Sequence, residues 1–349
     1  MKRSYKTLST LRIENISKSF GGKNVLRDIS LSINEGEFVS LLGPSGCGKT
    51  TLFKLIAGLE APDSGSIFIG GKCCDNIPAR KRGALIVFQD YGLFPHMTVM
   101  QNIEFGLTAQ KITRSERSTR SAKMLELVQL SEKSGSYPHE LSGGQKQRVA
   151  LARACVLEPK VLLLDEPFSN LDTNLKEAMR EFVLELQRTL KITTILVTHD
   201  KEEAFMTSQR VAVIFDGRIQ QFDSPFQIYS EPKTKLVADF IGETNYIDGN
   251  VINGKFICPL GSFEATDYPS GAAEMMLKFD KISLSKIPLN GQNISPCKVT
   301  DKKYKGGTTT YKVAIKELIL TLNSSDDSFE VGEEAFIQPE INTISLFMK

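Results

Sequence analysis

A glycine-rich segment, GPSGCGKT at Gly43–Thr50, has the residue types and spacing that hold phosphate groups. It follows the apolar run FVSLL and precedes the helical pattern TLFKLIAGL, which is the strand–loop–helix context that the motif requires. Gly43, Gly46 and Gly48 allow the backbone to turn successive amides inward, and the positive end of the following helix adds to the field on an anion. The segment therefore predicts a nucleotide site.

Charged and hydroxyl side chains placed around this loop suit Mg²⁺-dependent phosphoryl transfer. Lys49 can neutralise the charge of the β- and γ-phosphates, and the hydroxyl of Thr50 can ligate Mg²⁺. In VLLLDEP, Asp165 ends a buried strand, where an ion pair or a metal is the usual reason for a carboxylate. We expect Asp165 to hold Mg²⁺ through water, and Glu166 to orient or deprotonate the attacking water. His199 ends another apolar strand, in ILVTHD, at the sheet edge where ligands bind, and can contact the γ-phosphate.

A second glycine turn, LSGGQ at Leu141–Gln145, opens a helical stretch that reads QKQRVALARACVL. Gly143 and Gly144 expose backbone amides, Ser142 adds a hydroxyl, and the positive end of the helix points at whatever lies in front of it. This turn predicts a second anion site in a different part of the chain, although one nucleotide needs only one loop.

Short apolar runs between helical patterns predict the elements that position these residues. Runs that are apolar on both faces are typical of a parallel sheet covered by helices, so the sequence predicts an α/β fold over residues 1–237. The amphipathic pattern between the phosphate loop and LSGGQ predicts a helical lobe inserted at about 91–155. From about residue 238 the chain carries short, partly alternating strand candidates between turn residues, which is typical of a small β-barrel or sandwich over 238–349.

The composition excludes several classes of protein. The 43 basic and 41 acidic residues leave a formal charge of +2, which argues against a nucleic-acid partner. No apolar run approaches the ~20 residues that span a bilayer, and the basic N-terminus lacks the apolar core of a signal peptide. We therefore expect a soluble, cytoplasmic chain whose six cysteines are reduced thiols.

These motifs, taken in order, resemble the motif set of ABC ATPases. The resemblance covers about residues 11–237 and is carried by Phe20, GPSGCGKT (43–50), Gln89, LSGGQ (141–145), VLLLDEP (161–167), SNLD (169–172) and His199. It implies a head-to-tail homodimer in which the LSGGQ turn of one subunit closes over the γ-phosphate held by the other. In that arrangement the two anion sites serve a shared nucleotide, and hydrolysis depends on closure of the dimer.

The resemblance also implies roles for individual residues. Phe20 would stack on adenine, Gln89 would contact Mg²⁺ or the attacking water, and Asp172 would lie in the loop that crosses to the partner. Glu166, His199, Gln89 and Lys49 are the expected catalytic residues, and Thr50, Gln89 and Asp165 the expected Mg²⁺ ligands. The expected ATP contacts are Phe20, Gly43, Pro44, Ser45, Gly46, Cys47, Gly48, Lys49, Thr50, Thr51, Ser142, Gly143, Gly144, Gln145 and Asp172.

Segments such as VFQDYGLFPHMTVMQNI and THDKEEAF are similar to the ATPase subunits of bacterial binding-protein-dependent importers. The similarity implies a P-loop core followed by a C-terminal OB-like barrel, although Lys278-Phe279-Asp280 stands where such barrels often read Arg-Pro-Glu. It further implies two transmembrane permease subunits, an extracytoplasmic solute-binding protein and a place on the cytoplasmic face of the membrane.

The sequence leaves the transported solute open. The FIGETN junction and the chain length favour the polyamine group over ferric iron, phosphonate, sulfate or sugar. Two other interpretations remain: a soluble ABC ATPase without a transport role, and a subunit whose barrel binds a regulator rather than only steadying the dimer.

Overall fold

The chain forms two compact units, one ending at Ser230 and one running from Glu231 to Lys349. A computed structural model describes residues 9–288, 291–340 and 345–349. Residues 1–8 of the predicted first domain, and 289–290 and 341–344 of the predicted second, lie outside the described residues. The predicted boundary at 237 falls inside a helix, Lys235–Ile241, and the contacts between residues divide the chain seven positions earlier.

The strands of the first unit are β1 (Ser9–Phe20), β2 (Lys23–Asn34), β3 (Phe38–Leu42), β4 (Ser64–Ile69), β5 (Lys72–Cys73), β6 (Ala84–Val87), β7 (Val161–Asp165), β8 (Thr193–Thr198), β9 (Arg210–Phe215) and β10 (Arg218–Asp223). Its helices are α1 (Lys49–Ala57), α2 (Val99–Ala109), α3 (Arg114–Leu127), α4 (Gly143–Cys155), α5 (Thr173–Leu190), α6 (Lys201–Thr207) and α7 (Pro225–Ser230).

The central sheet of this unit has the strand order β10-β9-β3-β8-β7-β6, and β9, β3, β8, β7 and β6 pair in parallel. Both faces of the sheet are covered. Along β7, Val161 and Leu163 enter one hydrophobic cluster, and Leu162 and Leu164 enter another on the opposite side. Since alternate side chains point to opposite faces of a strand, a run that is apolar throughout must be covered twice. The predicted α/β core is confirmed.

A second, antiparallel sheet with the order β2-β1-β4-β5 covers one face of the core. The strands β1 and β2 form a hairpin in which Phe20 pairs with Lys23 across Gly21 and Gly22. Both glycines have positive φ, +54° and +79°, as a two-residue turn between right-twisted strands requires. The sequence patterns above do not predict this sheet; the Gly-Gly pair was the available signal.

The helices α2, α3 and α4 lie between β6 and β7, two strands that are neighbours in the sheet. Thr98 caps α2 and Thr113 caps α3, each accepting a hydrogen bond from a backbone amide of the first turn. The buried faces of the helices join the core cluster that contains Ile103, Met124 and Val149. The predicted helical insertion into the α/β core is therefore present.

The second unit is an all-antiparallel β structure. Its elements are α8 (Lys235–Ile241), β11 (Thr244–Ile252), β12 (Lys255–Cys258), β13 (Gly261–Glu264), β14 (Gly271–Lys278), β15 (Ile282–Ser285), β16 (Ser295–Tyr304), β17 (Thr309–Ile315), β18 (Leu318–Ser324), β19 (Glu334–Pro339) and β20 (Ser345–Met348). Sheets with the orders β13-β12-β11-β14-β20 and β15-β19-β16-β17-β18 enclose a common core around Phe256, Tyr311 and Ile337. They form a curled half-barrel, in agreement with the predicted OB-like domain.

At the point where this unit departs from the Arg-Pro-Glu pattern, Lys278 is buried. Its ammonium donates hydrogen bonds to the carbonyl of Gly242, at 3.0 Å, and to the hydroxyl of Thr244, at 2.9 Å. These contacts tie the end of β14 to the start of β11.

Among the described residues, no helix has both the length and the apolar character needed to cross a bilayer.

Candidate functional site

The phosphate loop lies between β3 and α1, and close packing requires its glycines. A Cβ on Gly43 would lie 2.2 Å from the carbonyl oxygen of Ile214, and a Cβ on Gly48 would lie 2.9 Å from that of Val25. Gly46 and Gly48 have φ values of +80° and +105°, which side-chain-bearing residues rarely adopt. The loop is thus a tight cradle that follows a buried strand, as the sequence predicts.

The ammonium of Lys49 lies inside this loop. It donates hydrogen bonds to the carbonyls of Gly43, at 2.6 Å, and Pro44, at 2.9 Å, and the residue is only 7% exposed. Cys47 is buried as well, with its sulfur 3.8 Å from that ammonium. Four other residues expected to contact ATP are exposed: Pro44, Ser45, Gly46 and Thr50. A fifth, Thr51, is half-buried in the first turn of α1.

Asp165 ends β7 and shares the electrostatic environment of the phosphate loop. Burial raises the pKa of its carboxyl, and so does the charge of Glu166, whereas Lys54 and Lys49 act in the opposite direction. Asp165 supplies a half-buried carboxylate and Thr50 an exposed hydroxyl, and both are oxygen donors of the kind that Mg²⁺ prefers. The donor set of Thr50 and Asp165 therefore fits the expected metal.

Glu166 and His199 are brought together by the neighbouring strands β7 and β8. The Oε1 atom of Glu166 lies 3.1 Å from Nδ1 of His199. The backbone of Glu166 has a φ of +44°, in the left-handed region, and its amide donates to the carbonyl of Val197 across the strands. A glutamate held in this conformation is a common sign of a functional constraint.

The glycine turn at Leu141–Gln145, here called the signature turn, has a structural role. Its Ser142 is exposed, whereas Gly143 is half-buried and Gly144 is buried. Ser142 caps α4: its hydroxyl accepts from the amide of Gln145, and the side-chain oxygen of Gln145 accepts from the amide of Ser142. A Cβ on Gly144 would lie 3.2 Å from a methyl group of Leu175, so this glycine allows α4 to approach α5 closely. Among the described residues, no hydrogen bond joins this turn to the phosphate loop of the same chain.

The segments that follow β6 and β7 contact each other. The side-chain amide of Asn170 donates to the carbonyl of Gln89 at 3.2 Å. Asp172 is exposed and caps α5, accepting from the amide of Leu175 at 3.0 Å. Gln89 and Asp172 thus lie on connected loops that face solvent.

Arg153 is a residue that the sequence motifs did not single out. It lies on α4, and its guanidinium donates to the carbonyls of Gly92, at 2.6 Å, and Tyr91, at 3.0 Å. Burial lowers its pKa, and Asp90 opposes this effect. The same guanidinium lies over the ring of Phe94. Arg153 therefore links the signature helix directly to the segment that follows Gln89.

Phe20 ends β1 and is half-exposed, with 46% of its surface accessible. The ammonium of Lys18 lies 5.2 Å from the centre of its ring. The next strand, β2, brings Val25 and Leu26 against Gly48 of the phosphate loop. The hairpin therefore presents an accessible aromatic ring on a strand pair that packs on the nucleotide cradle.

An open groove of about 630 Å³ lies beside Gln89, between β6 and the helices α2 and α4. Its lining is mostly apolar and includes Phe88 and Phe105, each 44% exposed. Arg153 and Asp90 contribute the charged part of the lining. Exposed aromatic rings grouped in a concave surface are typical of a protein-binding site.

Comparisons with known proteins identify the family of this chain. Residues 26–169 match the family model described as "ABC transporter". The chain is 41% identical over 336 residues to an Fe(3+) ions import ATP-binding protein of Vibrio cholerae, covering 93% of this chain and 94% of that protein. It is 48% identical over 255 residues to a spermidine/putrescine import ATP-binding protein of Aggregatibacter actinomycetemcomitans, covering 73% and 68%.

A solved structure, cbiO1 from Clostridium perfringens, which is part of the ABC transporter complex cbiONQ, has the same core fold. The TM-score is 0.60 at 33% identity, and the match covers 64% of this chain and 91% of that one. These relatives are well above 30% identical over most of their length, and the phosphate loop, the acidic pair Asp165–Glu166 and the signature turn are all present. The chain therefore belongs to the ABC transporter family, among its ATP-binding import subunits.

Proposed function

We propose that this chain binds MgATP between its own phosphate loop and the signature turn of a second copy, and that hydrolysis of this ATP energises solute uptake. One observation carries the proposal. The loop after β3, Asp165 and Glu166 at the end of β7, and His199 after β8 all lie at the carboxyl ends of adjacent parallel strands. The signature turn is the remaining anion site, and in a dimer it would contact the nucleotide that the partner chain holds.

Each residue has a proposed task in this site. The amides of the loop and the ammonium of Lys49 hold the phosphates, while Phe20 stacks on adenine. Glu166 accepts a proton from the attacking water or orients it, and His199 contacts the γ-phosphate. Thr50, Gln89 and Asp165, the last through water, would hold Mg²⁺. The bound ion would supply neutralisation of the phosphate charge that develops during transfer.

We propose partners for this chain, and the surface beside the site supports one of them. We propose that a cytoplasmic helix of a transmembrane permease subunit binds in the groove lined by Phe88 and Phe105. Binding would remove these exposed apolar rings from water, and the groove adjoins Gln89. Two such permease subunits would pair with the ATPase homodimer, which places this chain on the cytoplasmic face of the membrane. An extracytoplasmic solute-binding protein would deliver the solute.

The shared site is tested by the concentration dependence of ATP hydrolysis. If the site needs two chains, the rate per chain falls as the purified protein is diluted through the dissociation constant of its ATP-bound dimer. A constant, full rate at dilutions where sedimentation shows only monomers would refute the proposal.

For the solute we propose a polyamine, which the FIGETN junction and the chain length favour. Ferric iron is the second candidate, because relatives named for either import are similar to this chain at comparable levels. The test is uptake of labelled spermidine and of labelled ferric iron by cells that carry the chain with its neighbouring permease genes. We expect spermidine uptake to stop in the Lys49→Ala variant. Loss of iron uptake alone would select the second candidate.

A further inference from the structure

A buried carboxylate lies immediately behind the turn that carries His199. Glu203, on α6, is only 4% exposed. Burial raises its pKa and Asp200 adds to the effect, while the hydrogen bond from Thr198 and the charges of Lys176 and His199 oppose it. Burying a carboxylate is costly, so its retention requires a compensating role.

One oxygen of this carboxylate fixes the hydroxyl of Thr198, the last residue of β8. The Oγ1 atom of Thr198 donates to Oε2 of Glu203 at 2.7 Å and accepts from the backbone amide of Asp200 at 3.0 Å. Because its proton is directed at Glu203, the lone pairs of the hydroxyl are free to face that amide. The hydroxyl thus closes the turn Thr198–His199–Asp200, and Glu203 sets its orientation.

The other carboxylate oxygen reaches the next helix. The Oε1 atom of Glu203 lies 3.8 Å from the ammonium of Lys176, on the first turns of α5. This helix begins directly after Asp172, whose carboxylate caps it. Glu203 therefore connects the end of β8 to the helix that follows the Asp172 loop.

His199 itself is held mainly through its backbone. Its side chain is 62% exposed, and its imidazole contacts the carboxylate of Glu166, which is also partly exposed. An exposed ring has few packing contacts that fix its direction, so the backbone turn decides where it points. Displacement of a catalytic group by about 1 Å can reduce a rate by about a hundredfold.

We propose that Glu203 is a positioning residue for His199, acting through the hydroxyl of Thr198. This inference rests on the role proposed above for His199. Glu203 need not touch the nucleotide; it holds the backbone turn so that the imidazole of His199 meets the γ-phosphate.

The test compares variants of the purified full-length chain by their kcat and KM for ATP and by their melting temperatures. Thr198→Val removes only the hydroxyl, and Thr198→Ser retains it. Glu203→Met removes the acceptor, whereas Glu203→Gln keeps an oxygen that Thr198 can still reach. Glu202→Gln, at an exposed neighbouring position, is the matched control.

We expect Thr198→Val and Glu203→Met to lower kcat about tenfold or more while KM stays within about twofold. Thr198→Ser and the control should stay within about twofold of the wild-type kcat, and Glu203→Gln should fall between. In a His199→Ala background, Thr198→Val should cause no further loss, because both changes remove the same contact.

Two results would overturn the inference while leaving the site intact: equal kcat values for the valine and serine variants, or a loss that appears only in melting temperature and KM. A His199→Ala variant that hydrolyses ATP at the wild-type rate would instead refute the role proposed for His199. If Glu203→Met fails to fold, the two Thr198 variants still decide the question.

Discussion

The carboxylate of Glu166 and the imidazole of His199 lie 3.1 Å apart at the ends of adjacent strands. A carboxylate in this place can accept a proton or hold a water molecule, and general-base catalysis of this kind contributes roughly 10²–10⁴-fold to a rate. The backbone of Glu166 is left-handed, with a φ of +44°, and its side chain is partly exposed. At the scale of single residues, this pair is the centre of the proposed chemistry.

We expect Glu166→Gln to lower ATP hydrolysis by about a hundredfold or more while ATP still binds, because the amide is nearly isosteric but is not a base. ATP should then hold two chains together without being consumed. Size-exclusion chromatography with and without MgATP measures this, with Lys49→Ala as the variant that cannot bind ATP. A Glu166→Gln protein that remains monomeric in saturating ATP would contradict the shared site.

We expect Glu203→Gln to be more stable than the wild-type chain at neutral pH. Folding raises the pKa of Glu203 above its ordinary value of 4.5, so the native state binds this proton more tightly than the unfolded chain does. The resulting stabilisation is complete below that ordinary value and is lost as pH rises through the raised pKa. Glutamine has no such charge to bury.

The melting temperature of Glu203→Gln should therefore exceed that of the wild type at pH 8, and the difference should narrow toward pH 5.5. Glu202→Gln, which is exposed, supplies the control and should show little dependence. A difference that grew on acidification would contradict the assigned direction of the pKa.

Elements connect these residues, and α4 is the clearest case. It begins at the signature turn, and its Arg153 holds the carbonyls of Tyr91 and Gly92 beside the groove assigned to the permease. A movement of the segment after Gln89 would therefore be transmitted to α4 through two charge-assisted hydrogen bonds.

We expect Arg153→Met to reduce the ATP hydrolysis that is stimulated by the permease complex more strongly than the hydrolysis of the isolated subunit. Methionine retains part of the packing on Phe94 but cannot bind the two carbonyls. The ratio of stimulated to unstimulated rates in reconstituted complexes measures the effect. Equal reductions of both rates would mean that Arg153 only stabilises the fold.

The elements that the sequence predicts are those with a strong local signal. The strands β3, β7 and β8 are mostly apolar on both faces, and the phosphate loop is one contiguous motif. The sequence therefore predicts these strands and this loop. The β1–β2 hairpin was missed because register shifts interrupt its alternation and many of its side chains are exposed. The motifs do not single out Glu203, because nothing in the sequence shows that its carboxylate is buried against Thr198 and Lys176. They do not single out Arg153, because its partners are backbone carbonyls, which carry no sequence signal.

At the scale of the whole molecule, each unit has its own hydrophobic core. The core of the second unit contains buried residues from Ile247 to Leu346 and includes the large side chains of Phe256, Tyr311 and Phe329. Burying rings of this size contributes a few kcal/mol each. A unit of this kind is expected to be stable by itself.

We therefore expect residues 231–349, expressed alone, to fold and to unfold cooperatively on heating. Circular dichroism should show a β-sheet spectrum and a single transition, and Tyr311→Ala should lower its midpoint strongly because the ring is fully buried. Ile319→Ala, at a 64% exposed position, serves as the control. A spectrum of unfolded chain would contradict the division at Ser230.

The left-handed backbone at Glu166 has a consequence for laboratory evolution. A glycine there would relieve a conformational penalty of about 1 kcal/mol, and a neutral residue at position 203 would remove a buried charge. A gene library screened only for heat resistance would therefore enrich substitutions at both positions. The selected proteins would have higher melting temperatures and lower rates of ATP hydrolysis. Such a screen, sequenced after a few rounds, would identify positions whose residues lower the stability of the fold and raise the rate of ATP hydrolysis.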